Sequence, residues 1–292
     1  MAKAAVKTEK QYKSSLLLEF SRRMTKAFSA KLGVGLFAVI VLICLIGPFF
    51  TPYGVNQVDL TSMFAGPSAK HLLGCDSMGR DVLTRLMYGG RYSLALGICA
   101  SLFGAAVGVI IGSVGGYFGG KTETVIMRIM DVWSALPGMM LCILVSSVMG
   151  SGFFSTVIAL TVGGVPGTVR MIRGQILTER SKEYIEAAQS INCSPITIMF
   201  KHLLPNVIQP VIVTTTMGIG SCMIQAASLS YIGLGIQPPN PEWGAMLSDG
   251  RAYIRTSPHL ILVPGIIIAL TVFAINLMGD GIRDALDPKL RD

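Results

Sequence analysis

Charge is scarce in this chain. Only 14% of its 292 residues are Asp, Glu, Lys or Arg, against a hydrophobic share of 51% and a mean hydropathy of +0.61. A soluble globular domain needs a charged surface, so that class is a poor fit and the chain reads as a bilayer protein. Thiol and metal chemistry are equally short of material. The six cysteines are spread singly, with Cys44, Cys99, Cys142 and Cys222 in apolar runs and Cys193 in a loop, and no CxxC spacing occurs. His71, His202 and His259 stand apart, and no Ser/His/Asp, HExxH or Cys/His cluster is present. No catalytic set, metal site or bound cofactor is therefore expected, and each histidine reads as an ordinary surface or interface residue. A cleavable signal peptide is also missing: the polar stretch before the first apolar run is long, and no A-x-A site follows it, so the first span should remain as an anchor.

What the chain has in quantity is apolar sequence. A helix needs roughly 20 such residues to cross the hydrocarbon, and runs of that kind lie at about 32–50, 92–118, 125–149, 153–171, 207–235 and 259–280. The expectation is an all-α, polytopic protein of about six transmembrane helices. Between the third and fourth, Gly150-Ser151-Gly152 interrupts an uncharged stretch from Val132 to Val169, which demands a tight hairpin. The net charge of +8 is concentrated at the N-terminus, where Lys3, Lys7, Lys10, Lys13, Arg22 and Arg23 fall, so no nucleic-acid partner is invoked. With that end in the cytoplasm, the inner segments (1–31, 119–131, 170–205, 281–292) hold 18 of the 24 Lys and Arg. This asymmetry places both termini in the cytoplasm.

The expected layout is a tail over 1–31 carrying an interfacial amphipathic helix, a first span at 32–50, an extracytoplasmic loop at 51–91, a five-helix core at 92–282 and a tail at 283–292. Within the loop, Val82, Leu83, Leu86, Met87 and Gly90 share one helical face and Arg80, Asp81, Thr84 and Arg85 the other, the pattern of a helix lying flat on the bilayer. Residues 51–91 and 236–258 either cap the bundle or receive a partner outside.

Gly115 to Thr122 formally satisfies the nucleotide-binding pattern G-x-x-x-x-G-K-[ST], but it ends a membrane span where a strand should precede it, so the nucleotide reading is rejected. The glycines there have another use. Gly104, Gly108, Gly112, Gly116 and Gly120 recur every fourth residue and leave one helix face bare for close packing against a helix that the sequence does not identify. Asp131, at the cytoplasmic end of the third span, is expected to pair with Arg128 or a neighbouring basic residue rather than to relay protons.

The informative cytoplasmic segment is 170–205, which reads as two helices around a break. Asn192 can adopt the left-handed conformation that closes the first helix, Ser194 can cap the second, and Pro195 fits its first position. Pro205 disfavours helix at Leu204 and should turn the chain into the fifth span. Ile196, Met199, Phe200 and Leu203 would then form the apolar face of a protruding helix. Periodicity alone leaves open whether that face docks on a partner or on its own bundle.

Glu186-Ala187-Ala188, followed by Asn192 and then His202-x-Leu204-Pro205, resembles the EAA signature of ABC importer permeases, with Asn192 in place of Gly and His202 in place of Ile. The stretches His71–Val82, Ser228–Gly244 and Gly279–Pro288 extend the likeness to the second permease of the dipeptide, oligopeptide and nickel importers. The resemblance implies a type I ABC importer permease fold in a bacterial or archaeal inner membrane. It also implies a homologous sister permease, two cytoplasmic ATPase subunits that hold ATP and Mg, and an extracytoplasmic binding protein. By the same resemblance Glu186, Ala187, Ala188, Asn192, Ser194, Pro195, Ile196, Met199, Phe200, Leu204 and Pro205 form the element that docks on an ATPase. Di- or oligopeptides are the expected solute and nickel or a metal chelate the alternative; a nucleotide-independent secondary transporter or channel would need more ionisable groups or broken helices near the midplane.

Overall fold

A computed structural model describes residues 28–286 of the chain. Nine helices carry the described fold: α1 (Phe28–Ile46), α2 (Val82–Phe118), α3 (Gly120–Ser134), α4 (Gly138–Met149), α5 (Phe153–Arg180), α6 (Glu183–Ser190), α7 (Pro195–Tyr231), α8 (Trp243–Gly250) and α9 (His259–Leu286). Among the described residues there is no strand, only an isolated bridge between Cys75 and Asp81. The interfacial helix expected in the N-terminal tail lies outside the described residues, which begin with Phe28 of α1.

Five helices, α1, α2, α5, α7 and α9, are long and apolar enough to cross a bilayer, and α3 with α4 makes a sixth if the pair is one span. That pair bends by 82°. The cause is local: Pro137 cannot donate a backbone hydrogen bond and disfavours helix at Leu136, so α3 ends and α4 restarts on Pro137 as its N-cap. After Met149 the hairpin forms where the glycines stand, with Gly150 at φ 83° and Gly152 at φ 145°.

The bare glycine face of α2 packs against α5 of the same chain. A Cβ at Gly112 would stand 2.8 Å from Ile172 Cβ and from the Val169 carbonyl oxygen, and one at Gly116 would stand 2.8 Å from Ile176 Cβ. The backbones approach this closely because nothing projects between them. Gly120 does not join the ladder; it lies past the end of α2, at φ 53°, with open space around it. The P-loop-like octet is thus the last turn of α2, a left-handed break and the start of α3.

Two expectations for the outer region are corrected. Residues 82–90 do not lie flat on the bilayer: they begin α2, whose 37 residues span about 55 Å and so exceed the hydrocarbon thickness. Their polar face is buried, along with Val82, Met87 and Gly90 of the apolar one. Asp81 caps α2 by accepting from the Thr84 amide at 2.8 Å, and its other oxygen meets His71 Nδ1 at 2.9 Å. Asp76 holds Arg80 Nε at 2.6 Å and lies 3.6 Å from Arg85 Nε. His71 is accordingly no surface residue; it is buried beside Asp81 and stacks on Tyr53 with ring centroids 4.6 Å apart. Charges survive burial here because each is paired and hydrogen-bonded. Burial, then the neighbouring Asp81, Asp76 and Asp59 carboxylates, pushes the Cys75 thiol up to about 11.

The second outer loop is pinned onto the same helix. Glu242 accepts from Ser93 Oγ at 2.8 Å and from the Ala245 amide at 2.9 Å, capping α8, while the fully buried Trp243 donates Nε1–H to the Leu86 carbonyl at 2.8 Å. Residues 51–91 and 236–258 therefore form one cap over the outer end of α2.

Candidate functional site

At the opposite end, which the charge asymmetry assigns to the cytoplasm, α5 runs beyond its apolar part and the chain folds back through α6 into α7. Helix α6 closes with two bonds that no straight helix makes: the Asn192 amide donates to the Gln189 carbonyl at 2.9 Å, and the Cys193 amide to Ala188 at 3.1 Å. This pattern requires a left-handed residue, and Asn192 supplies it at φ 58°. Ser194 Oγ then accepts from the Thr197 amide at 3.2 Å, with Pro195 at the first helical turn.

From there the structure departs from expectation. The chain does not turn at Leu204-Pro205; α7 continues from Pro195 to Tyr231, through a π-helical stretch over Ile198–Leu203. The Leu204 amide reaches back to the Met199 carbonyl, a longer step than the α-helical one. Pro205 has no N–H to give, and its ring would clash with the carbonyl four residues before it in a regular helix. The wider π turn accommodates both, so the segment after Ser194 and a membrane span are one continuous helix. Such insertions within α-helices frequently mark functional sites.

The wider turn also divides the four residues expected on one apolar face. Met199 and Leu203 turn inward, with Ile198, onto Ile172, Ile176 and Ile185. Ile196 and Phe200 stay outside at 68% and 58% exposure, joined by Ile191 at 76%. Both earlier readings of the helix are therefore partly met: half of it packs on its own bundle, and half is left uncovered within the described chain. Glu186 and Ala187 are exposed on α6, whereas Ala188 is buried.

A polar brace holds this tip to the bundle. Tyr184 donates to Glu179 Oε1 at 2.6 Å, and Asn206 Nδ2 donates to the Tyr184 hydroxyl at 3.1 Å and to the His202 carbonyl at 2.7 Å. Lys182 reaches the other Glu179 oxygen at 2.7 Å. Burial, and then the Glu179 carboxylate, pushes the Tyr184 phenol up to about 12, so it remains a neutral donor. Sequence reasoning missed this brace, whose only trace is a Tyr and an Asn flanking the segment. Nearby, Asp131 pairs with Arg170 of α5 at 3.1 Å rather than with Arg128, and Arg173 engages Glu123, which ties α3 to α5.

Residues 104–292 match the family described as "Binding-protein-dependent transport system inner membrane component", and residues 15–67 match "N-terminal TM domain of oligopeptide transport permease C". The glutathione transport system permease protein GsiD of Pectobacterium atrosepticum is 43% identical over 275 residues, 94% of this chain and 91% of that protein. The protein of the same name from Escherichia coli is 42% identical over 274 residues, 94% and 90% of the two chains. Among solved structures, an inward-facing MetNI methionine ABC transporter aligns with a TM-score of 0.57 at 20% identity, covering 70% of this chain and 97% of that one, a likeness of fold. With an all-helical fold of the same type and a family match across most of its length, this chain belongs to the multi-pass inner-membrane permeases of binding-protein-dependent ABC importers.

Proposed function

We propose that this chain forms half of the translocation pathway of an ATP-driven importer of peptides, paired with a homologous permease and driven by two cytoplasmic ATPase subunits. The observation that carries the reading is the tip of α6 and α7: Ile191, Ile196 and Phe200 stand exposed on an element built into a membrane span. An apolar surface that protrudes into water wants a partner, and this one stands where the EAA-like segment places ATPase docking. ATP and Mg belong to the partner subunits in this reading, and this chain hydrolyses nothing.

Force on the tip would pass directly into α7, because the π stretch keeps the helix continuous. Closure of the ATPase pair would then tilt α7 and α5 together between inward-open and outward-open arrangements, a two-state transition biased by nucleotide. Glu186 and Ala187 would shape the rim of the contact, and Asn192, Ser194 and Pro195 would hold its turn. Outside, the cap over α2 would receive the binding protein that delivers the solute.

A peptide solute is supported by the relatives named for glutathione, itself a small peptide, and by the oligopeptide-permease match at the N-terminus. The metal-chelate alternative draws no comparable support.

The test is co-purification with the partner subunits, comparing the parent with Phe200→Asp and Glu186→Ala. The parent should retain an ATPase subunit and show solute-stimulated ATP hydrolysis; Phe200→Asp should release the ATPase while remaining folded in the membrane. If no ATPase accompanies the parent under any condition, the reading fails and a nucleotide-independent carrier replaces it.

A further inference from the structure

Two membrane-spanning helices carry faces of mostly small and polar residues that the described chain covers only in part, Thr168 packing beside Gly108 of α2 and Met171 against the core. On α5 the face passes through Gly164, Thr168, Met171, Gln175 and Thr178; on α7 it passes through Thr214, Gly218, Ser221, Gln225 and Ser228. Both advance in alternating steps of four and three residues, which keeps each set on one side of its helix. All ten positions are exposed or half-buried.

The two faces meet in one cleft of about 220 Å³, where Thr168 and Gly164 stand opposite Thr214, Ser221 and Gln225, with Ser101 of α2 closing the back. Thr214 also borders a wider opening of about 480 Å³ at the cytoplasmic end, between α7 and Arg283 of α9. The cleft thus leads toward the cytoplasm. Its polar groups are only partly used: Thr214 Oγ1 donates to the Pro210 carbonyl at 2.9 Å and Ser101 Oγ to Thr215 at 2.6 Å, which leaves their lone pairs available. The Gln225 side chain has one hydrogen bond among the described residues, a long one of 4.0 Å from Cys142 Sγ. A side-chain amide on a membrane span is costly against hydrocarbon, so this face belongs toward the interior of the assembled importer.

None of the residues lining the cleft is charged. Farther along α5, Arg170 and Arg173 are engaged by Asp131 and Glu123.

We propose that these faces of α5 and α7 are this chain's wall of the solute path, and that the wall is indifferent to solute charge. It offers hydroxyl and amide groups to the amides and carbonyls of a peptide backbone. It holds no fixed charge that would trap an ammonium or carboxylate terminus, and a path must bind weakly enough to release. The inference rests on the importer reading above and adds to it that selection by charge is made elsewhere than in this wall.

The test uses the whole importer in proteoliposomes. In a Cys222→Ser background, Ser221→Cys, Gln225→Cys and Thr168→Cys are exposed to a membrane-impermeant cationic methanethiosulfonate, beside Phe273→Cys on the outer side of α9, which is 52% exposed. The wall positions should react faster than Phe273→Cys by on the order of tenfold, since the reagent needs water to reach them. Equal rates would overturn the wall. Uptake of tri-lysine and tri-glutamate then tests the charge claim. Ser221→Lys should lower the lysine-to-glutamate ratio, and Ser221→Asp raise it, each by about tenfold relative to the parent, while Ser221→Ala leaves it unchanged. Charge variants that slow both peptides equally would overturn that claim. ATPase retention and ATP hydrolysis are measured in the same vesicles, so their loss in the parent would instead count against the importer reading.

Discussion

Phe200 and Leu203 are one helical turn apart, yet they answer to different surroundings. Leu203 is fully buried among Ile172, Ile185 and Val207, so Leu203→Ala removes packing from a closed site and should cost about 2–5 kcal/mol, read as a drop in thermal stability in detergent. Phe200→Ala, on the exposed side, should change stability by less than about 0.5 kcal/mol and appear only in the yield of co-purified ATPase. Asn192 makes a conformational rather than a packing contribution. Asn192→Gly should be tolerated because φ 58° suits glycine, whereas Asn192→Val forces a β-branched residue into the left-handed region at a cost of about 1–2 kcal/mol. A protease-accessibility assay on the tip distinguishes the two. The pair of Asp131 and Arg170 is half exposed, so Asp131→Asn should leave uptake nearly unchanged; a large loss would mean the carboxylate works as a proton carrier after all.

At the scale of elements, the contact between α2 and α5 leaves little room to absorb a change. Gly112→Leu and Gly116→Leu drive side chains into Ile172 and Ile176, and both should abolish accumulation in the membrane, scored by immunoblot of membrane fractions. Gly104→Ala is the contrasting case: its Cβ would find nothing nearer than the Thr161 carbonyl oxygen at 4.0 Å, so normal accumulation is expected. The difference arises because the two helices are close from Gly108, where a Cβ would stand 2.5 Å from Thr168 Cβ, through Gly116, and have diverged at Gly104. In a bilayer, where lipid is as apolar as a side chain, such close packing carries much of the association.

At the scale of the whole molecule, the charge asymmetry makes a prediction about sidedness. Lys70 belongs to the outer cap and Lys201 to the cytoplasmic tip, and both are exposed. Single cysteines there should be labelled by an impermeant maleimide from opposite sides of sealed vesicles. Labelling from the same side would reverse the topology and remove the tip from the reach of a cytoplasmic ATPase.

Much of this was legible in the linear order of residues. The apolar runs, the position of the hairpin glycines and the Asn192-x-Ser194-Pro195 turn are local properties, set by transfer to lipid and by backbone conformation within a few residues, so composition and spacing alone determine them. What the tertiary structure decided is which surfaces meet. The glycine ladder could have served any helix; it takes α5 of the same chain. Arg80, Asp81, Thr84 and Arg85 have the pattern of a solvated helix face and are instead buried, because Asp76, His71 and the second outer loop close over them. The tip's apolar residues have the spacing of a single α-helical face, and the π turn at Pro205 sends Met199 and Leu203 inward while leaving Phe200 out. In each case periodicity specifies a face, but only contacts between distant segments specify what covers it.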